Sequence, residues 1–484
     1  MKISATTGFF ILLLIIAYPL FGNLGYYPIR LWDESRVAIN AYEMFKTGDW
    51  IVTRFDGAPD MWNTKPPLLI WIQVGFIKLL GLNDLAIRII SPIAALFTCI
   101  FLYWFFLKKF AQPWLAILVC FVLVTSQGYV RTHGTRTGEY DSLMVMFTTM
   151  YVLYYFLFLE DRKTKYLYAS LITLTLAVLT KGVAAVIFLP VLFIYTIYRR
   201  QLLSILKNGH FYIGISIFLI FGIGYYFLRD HNNPGFIEQV HMNELGGRYM
   251  ETDHPEFGYS FYWHFLTSRN FIRWLVLMFV GSILAFFSLN RLIRELTIYS
   301  ALAGGFYFLV VSVGKTKNTW YDMPCYPFFA IITALGIYII CKTILEFPST
   351  KRYLNVGVVT IFLGIISWLP YYEIIKEAIR PDYQDWSQEN DSITFYIRDI
   401  LHGKRNAQGL AIANEGYQAD MDWYQLLLAE QNRTIPKIDY KAIPAGQKVI
   451  AFQQAVKQYI ATHYNTRIID SFNTLRVYEV NGTN

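Results

Sequence analysis

The sequence predicts an all-α polytopic membrane protein with a small α/β unit at its C-terminal end. Three observations predict it. Of 484 residues, 55% are hydrophobic, 18% aromatic and only 16% charged, whereas a soluble domain carries about 25% charged residues. Apolar runs of spanning length recur along the chain, about eleven by hydropathy. The segments between them alternate in character. Short basic ones hold Lys2, Lys108-Lys109, Arg162 to Lys165, Arg199-Arg200, Arg291 with Arg294, and Lys342 with Lys351-Arg352. The intervening ones are longer or mixed in charge. By the positive-inside preference the basic set faces the cytoplasm and the other set faces outward. The net charge of +8 is therefore topological, and no nucleic-acid partner is expected.

The elements follow in order. The run 9–20 lies behind Met1-Lys2, and "FGNLGYYPIR" after it lacks a small-x-small cleavage site, so a retained first span is expected. A first outer loop fills 21–83. Within it, Val37, Ala41 and Phe45 share one helical face. Pro66-Pro67 opens a second helix, "LLIWIQVGFIKLL", that stops at Gly81. Both are expected to lie amphipathically in the interface. Further runs occupy 85–107, 113–130, 143–159, 166–180, 183–198, 211–228, 274–289, 296–313, 321–340 and 356–370. A second large outer loop fills 229–273. The run 166–180 would rise only about 22 Å as a helix against a hydrocarbon core near 30 Å. Lys181-Gly182 could therefore form the floor of a cavity. Cys99, Cys120, Cys325 and Cys341 all fall in apolar runs, as packing residues rather than disulfides or metal ligands.

Residues 1–370 thus form a transmembrane domain and 371–484 a small extracytoplasmic one. In the latter, "GLAIAN", "KVIAF" and "LRVYEV" are expected as strands, and "MDWYQLLLAEQ" and "QQAVKQYIATHY" as helices.

The outer segments hold the chemistry. Asp33-Glu34 suits a helix start as cap and first-turn acid; it equally suits a general base beside a substrate. Lys65 precedes two prolines at a helix N-terminus, where a cation opposes the dipole unless an anion is bound there; snorkelling to lipid head groups is the alternative. Lys315 and Lys317 face outward against the charge preference, with Tyr321 beside them. Lys181 is an ionisable group at membrane depth and a functional candidate by that fact. Arg36, Arg136 and Arg248 add outward cations. Glu139 and Asp141 open the fourth span. His241, Glu244 and His254 have the ligand types of a metal site without a recognised spacing, so a divalent metal is possible and no other cofactor is expected. Carboxylates, phosphate-seeking cations and aromatic rings in one outward cavity suit a sugar carried on a lipid phosphate.

At these residues a resemblance enters. "DESRVAINAYEMFKTGDWIVTRFDG" followed by "KPPLLIW" resembles the first outer loop of the lipid A aminoarabinose transferases, and more distantly the protein O-mannosyltransferases. "LTKGVAAVIFLP" and "KTKNTWYDMPCYPFFAII" resemble two later segments in the same order. The resemblance implies a C-type glycosyltransferase fold and a polyprenyl-phosphate-linked sugar as donor. It implies a catalytic Asp33 with Glu34 beside it, and donor-phosphate binding by Lys65. It places Lys315, Lys317 and Tyr321 in the same cavity. Apart from the resemblance, the residues themselves offer Arg36, Lys181 and Arg248 as further phosphate-seeking cations and Asp141 and Arg136 for the cavity wall. In one departure, Thr64 stands where those transferases have an acidic residue. In another, the chain has fewer spans and a short outer tail. The expectation is an inverting membrane glycosyltransferase, active outside the cytoplasm of a bacterial inner membrane. It would act as a monomer on a glycolipid, glycan or protein hydroxyl. The competing expectation is a polyprenyl-phosphate or phospholipid carrier without transfer chemistry.

Overall fold

The computed structural model describes residues 3–131, 133–247, 257–348, 352–379 and 388–484. Each apolar run forms helix. Among the described residues, seven helices are long and apolar enough to cross a membrane: Asp84–Phe110, Tyr140–Asp161, Thr164–Val186, Gly209–Asn232, Arg291–Val313, Met323–Glu346 and Tyr353–Ile379. Phe261–Asn270 and Ile272–Phe286 make an eighth if counted as one span, bent by 106°. The remaining expected spans are shorter helices: α1 (Ala5–Phe21), Pro113–Val124 and Leu189–Tyr198. Pro113–Val124 stops where Thr125 and Ser126 turn their hydroxyls onto the carbonyls of Phe121 and Val122, at 2.7 and 2.6 Å, a local bond that competes with the helix ladder. Pro370, expected to end the last span, instead lies inside the helix Arg352–Ile379.

In a membrane, helices associate by close packing rather than by expulsion of water. Gly281 and Gly336 make the closest approach: a Cβ on Gly336 would lie 2.1 Å from the Gly281 Cα. The helices Ile272–Phe286 and Tyr326–Glu346 therefore meet backbone to backbone.

The first loop carries α2 (Asp33–Thr47), a two-stranded ribbon of β1 (Arg54–Phe55) and β2 (Ala58–Pro59), and α3 (Leu68–Leu80). α2 ends at Gly48, whose φ of 71° is the left-handed closure that glycine allows without strain. The buried face of each helix packs against protein, while Leu79 and Leu80 at the end of α3 stay exposed. Val37, Ala41 and Met44 of α2 and Leu69, Val74 and Ile77 of α3 share one core with Trp423, Tyr424 and Leu428 of the C-terminal unit.

That unit is a five-stranded sheet in the order β4-β3-β5-β7-β6. β3 (Leu410–Ala413) is parallel to β4 (Lys437–Ile438) and β5 (Lys448–Ala451), while β7 (Leu475–Thr483) is antiparallel to β5 and β6 (Tyr464–Phe472). Helices Gln388–Leu401, Ala419–Glu430 and Gln454–His463 accompany it. Polar bonds dock it onto the first loop. The Tyr424 hydroxyl donates to Asp84 Oδ2 at 2.6 Å and accepts from the Ile29 N–H at 2.9 Å. Trp423 Nε1 donates to Asp84 Oδ1 at 2.9 Å.

Candidate active site

Asp33 and Glu34 open α2, about 100° apart around the helix. Asp33 is exposed. Glu34 turns inward and is 1% exposed. Both its oxygens receive the Arg88 guanidinium at 2.6 Å, with the Gly138 N–H at 2.8 Å and the Arg30 N–H at 2.9 Å completing its shell. The remaining Arg88 donors go to the carbonyls of Leu24, Tyr27 and Pro28. Burial pushes the Glu34 pKa upward, but the Arg88 charge and the backbone donors hold it below the ordinary carboxyl value. This clasp ties the first loop to the start of the span Asp84–Phe110.

Above it, Asp33 meets the turn that precedes Tyr140. Ligand atoms of Asp33, His133 and Glu139 lie within 4.8 Å of one another. His133 sits in a left-handed turn (φ 67°) and stacks on Trp320 with centroids 3.5 Å apart. Its Nδ1 is 2.7 Å from Glu139 Oε2. Burial would lower the His133 pKa, but the Glu139 carboxylate and, further off, Asp33 and Asp141 raise it. Two carboxylates and an imidazole are a donor set that suits a divalent cation.

Two residues after Glu139, Asp141 lines a cleft between helices with about 590 Å³ of space, open solvent included. Met144, Val183, Ala184, Ile187 and Val311 give it apolar walls, and Asp141, Lys181, Glu244 and Tyr321 a polar end. Lys181 ends its helix and donates to Asp141 Oδ1 at 2.6 Å, with its ammonium 5.6 Å from the Tyr321 ring centre. Lys65 approaches from the first loop, 4.0 Å from Glu244 and 5.5 Å from the centre of the Tyr140 ring. The Thr64 hydroxyl donates to the same Glu244 at 2.9 Å. The carboxylate that Thr64 lacks is thus brought beside Lys65 from the second large loop.

The other expected residues are distributed as follows. Lys315 is exposed, next to Thr316 on the cleft wall. Lys317 is buried and donates to the Ser312 and Gly314 carbonyls at 2.6 Å, closing the end of its helix; burial lowers its pKa. Arg36 is fixed by two bonds to Asp60, at 2.9 and 2.7 Å. Arg136 donates to the Gly22 carbonyl at 2.5 Å, and burial beside Arg88 brings its pKa down to about 10. His241 is exposed outside the trio, and Arg248 and His254 lie outside the described residues. The sequence reading passed over His133, Arg88 and Asp60. Arg88 had one signal, a cation in the first turn of an apolar helix, where it opposes the dipole.

Comparison with known proteins agrees with this architecture. The profile of the family described as dolichyl-phosphate-mannose-protein mannosyltransferase matches residues 64–225. An uncharacterized protein of Aquifex aeolicus is 28% identical over 368 residues, 74% of this chain and 68% of its own. The undecaprenyl phosphate-alpha-4-amino-4-deoxy-L-arabinose arabinosyl transferase of Aeromonas hydrophila is 24% identical over 63% of this chain, which spans about half (55%) of that protein. Among solved structures, ArnT from Cupriavidus metallidurans bound to undecaprenyl phosphate superposes with a TM-score of 0.69 at 14% identity, over 98% of this chain and 97% of its own. The archaeal oligosaccharyltransferase AglB from Archaeoglobus fulgidus gives 0.58 at 8% identity, over 98% and 74%. The chain therefore has the fold of these proteins, and in sequence it is similar to the aminoarabinose and mannosyl transferases.

Proposed function

We propose that this chain, a relative of the undecaprenyl-phosphate aminoarabinose transferases and the dolichyl-phosphate-mannose mannosyltransferases, is an integral-membrane glycosyltransferase. It moves a sugar from a polyprenyl-phosphate donor to an acceptor outside the cytoplasm, in a bacterial inner membrane. The carrying observation is exposed Asp33 gathered with His133 and Glu139, the last of them two residues along the chain from Asp141, which lines a cleft with apolar walls and holds Lys181. The apolar walls suit the first prenyl units, and Lys65, Lys181 and Lys315 suit the phosphate. An acceptor hydroxyl would attack the anomeric carbon as the bond to the phosphate oxygen breaks, with inversion. The hydroxyl proton passes to Asp33, and the phosphate leaves as an anion facing preorganised cations. Lys181 stays oriented by Asp141. Glu34, with every lone pair engaged, acts as the anchor that fixes Asp33 rather than as a reacting group. Asp33, His133 and Glu139 have the donor types to hold a divalent cation, which when bound would supply positive charge at this site, with Asp33 then orienting the acceptor hydroxyl rather than taking its proton. If the acceptor is itself a phosphate, Asp33 orients it and little proton transfer is needed.

The test is turnover. Purified protein in lipid receives labelled polyprenyl-phosphate sugars with a membrane extract as acceptor. Transfer with release of polyprenyl phosphate, lost in Asp33→Asn, is expected. No transfer by the natural protein, with tight donor binding that survives Asp33→Asn, would instead favour a carrier.

A further inference from the structure

The residue before Asp33 belongs to a second cluster, built jointly by the first loop and the C-terminal unit, none of whose rings lines the lysine-bearing cleft. Trp32 is 56% exposed and holds φ 77°, ψ −118°, a conformation in which a bulky side chain is an outlier. Such outliers persist only where the surroundings enforce them, and they gather at functional sites. Here the Trp32 carbonyl is held by the Arg36 N–H and the Ser35 hydroxyl, both at 3.1 Å. The result is an indole projected beside Asp33. Its ring stacks on Tyr417 from the C-terminal unit, at 5.4 Å between centroids and 28° between planes. Tyr417 stacks in turn on Phe55 at 6.0 Å and 28°. The Arg36 guanidinium caps the tier, 4.4 Å from the Phe55 ring centre, and is locked by Asp60.

A lipid-facing belt tryptophan would present its ring to acyl chains. This one is backed by a protein ring from a distant part of the chain and stands next to a carboxylate. An aromatic face with its negative quadrupole attracts the polarised C–H face of a pyranose, while the Asp33 carboxylate, on the next residue, can accept bonds from sugar hydroxyls. The geometry points to an acceptor subsite: Trp32, backed by Tyr417, takes a sugar ring of the acceptor and sets its nucleophilic oxygen against Asp33. This rests on the transferase reading and narrows it, because the acceptor is then a glycan or glycolipid rather than a peptide. It also gives the C-terminal unit a part in substrate choice. The donor then belongs to the cleft lined by Lys181, Asp141 and the apolar walls, and the two substrates would meet at Asp33.

The test uses the full chain in lipid nanodiscs, labelled with 5-fluorotryptophan. The chain has 12 tryptophans, and the Trp32 resonance is the one missing from Trp32→Phe. Chitobiose, with a serine- and threonine-rich hexapeptide as control, is titrated into the millimolar range. A saturable shift of the Trp32 resonance with the disaccharide, absent with the peptide and weakened in Tyr417→Leu, is expected. A shift with the peptide alone, or none with the sugar, overturns the proposal. In the transfer assay, Trp32→Ala should raise the acceptor KM about tenfold, with the donor KM within about twofold, the scale of one lost aromatic stack. An equal rise in both KM values, or a loss confined to kcat, overturns it as well. The fluorine measurement does not need turnover. A sugar-dependent shift in a protein that transfers nothing would leave the subsite standing and remove the transferase reading.

Discussion

The Asp33 trio and the clasp beside it begin one residue apart and are built on opposite principles. Asp33 is exposed and gathers with an imidazole and a second carboxylate, a cluster open to solvent on one side. In the clasp, Glu34 and Arg88 satisfy each other and the surrounding backbone so fully that nothing can be added. Such a pair contributes little net stability, because two desolvated charges offset most of their attraction. What it supplies is position. The Gly138 N–H on Glu34 fixes the turn that carries Glu139, and the bonds from Arg88 fix 24–28. The difference teaches that a site of this kind is held rigid by charges it does not use.

The largest effect should separate the two carboxylates by kind. Asp33→Asn is expected to cut kcat by roughly 10²- to 10⁴-fold, the span of general-base contributions, with thermal unfolding in nanodiscs unchanged. A loss of melting temperature in that variant would mean that Asp33 belongs to the clasp. Glu34→Ala should do the reverse. It leaves Arg88 buried without its counter-ion, at a cost of about 3–5 kcal/mol, seen as a markedly lower melting temperature. Pairing Glu34→Gln with Arg88→Met removes both charges and should regain part of that loss. A double variant no better than Glu34→Ala would show that the carbonyl bonds of Arg88, not its charge, hold the loop.

Acid should sharpen the same contrast. The folded pKa of Glu34 is depressed below its ordinary value of 4.5. The stability linked to it is therefore fully present above that value and is lost as the pH falls through the folded pKa. Melting temperature should slope downward below about pH 4.5 in the natural protein and flatten in the Glu34→Gln, Arg88→Met variant, with the slope following the proton uptake of one group. An identical acid slope in both would assign it to other carboxylates, Asp60 among them.

Much of this was legible in the sequence, and the rest was not for identifiable reasons. Hydropathy located every apolar run, because the bilayer sets a length and a composition. It could not see the 106° bend after Asn270, since a bend leaves composition unchanged. Short runs such as 113–130 were counted as spans although Thr125 and Ser126 end the helix early, a local bond that averaging hides. Lys317 was visible as an outward cation, but not that its ammonium would be spent on the carbonyls three and five residues behind it. The pairing of Thr64 with Glu244 joins positions 180 apart, and no single sequence reveals such a meeting. β6, "YNTRIIDSF", has too little alternation to declare itself, and its pairing with β7 is interrupted by two register shifts. His133 in "RTHGTRTGEYDS" carries no signal of its own, since a lone histidine in a polar turn has no ligand spacing and its partner Asp33 is 100 positions away in the chain.

The smallest expected effect concerns how the C-terminal unit is seated. The Tyr424 hydroxyl donates to Asp84 and accepts from Ile29, four residues before Asp33. Tyr424→Phe keeps the ring in its core and removes both bonds. Asp84 retains the Trp423 indole, so the unsatisfied group is the buried Ile29 N–H, at about 1–3 kcal/mol. Melting temperature should fall modestly. Because Ile29 leads directly into the Trp32–Asp33 turn, kcat for transfer should fall with it, by a few-fold rather than by orders of magnitude. A lowered melting temperature with kcat untouched would mean that the unit is only a lid seated on the loop. Loss of rate together with stability would mean that the seat of the C-terminal unit helps to set the position of Asp33.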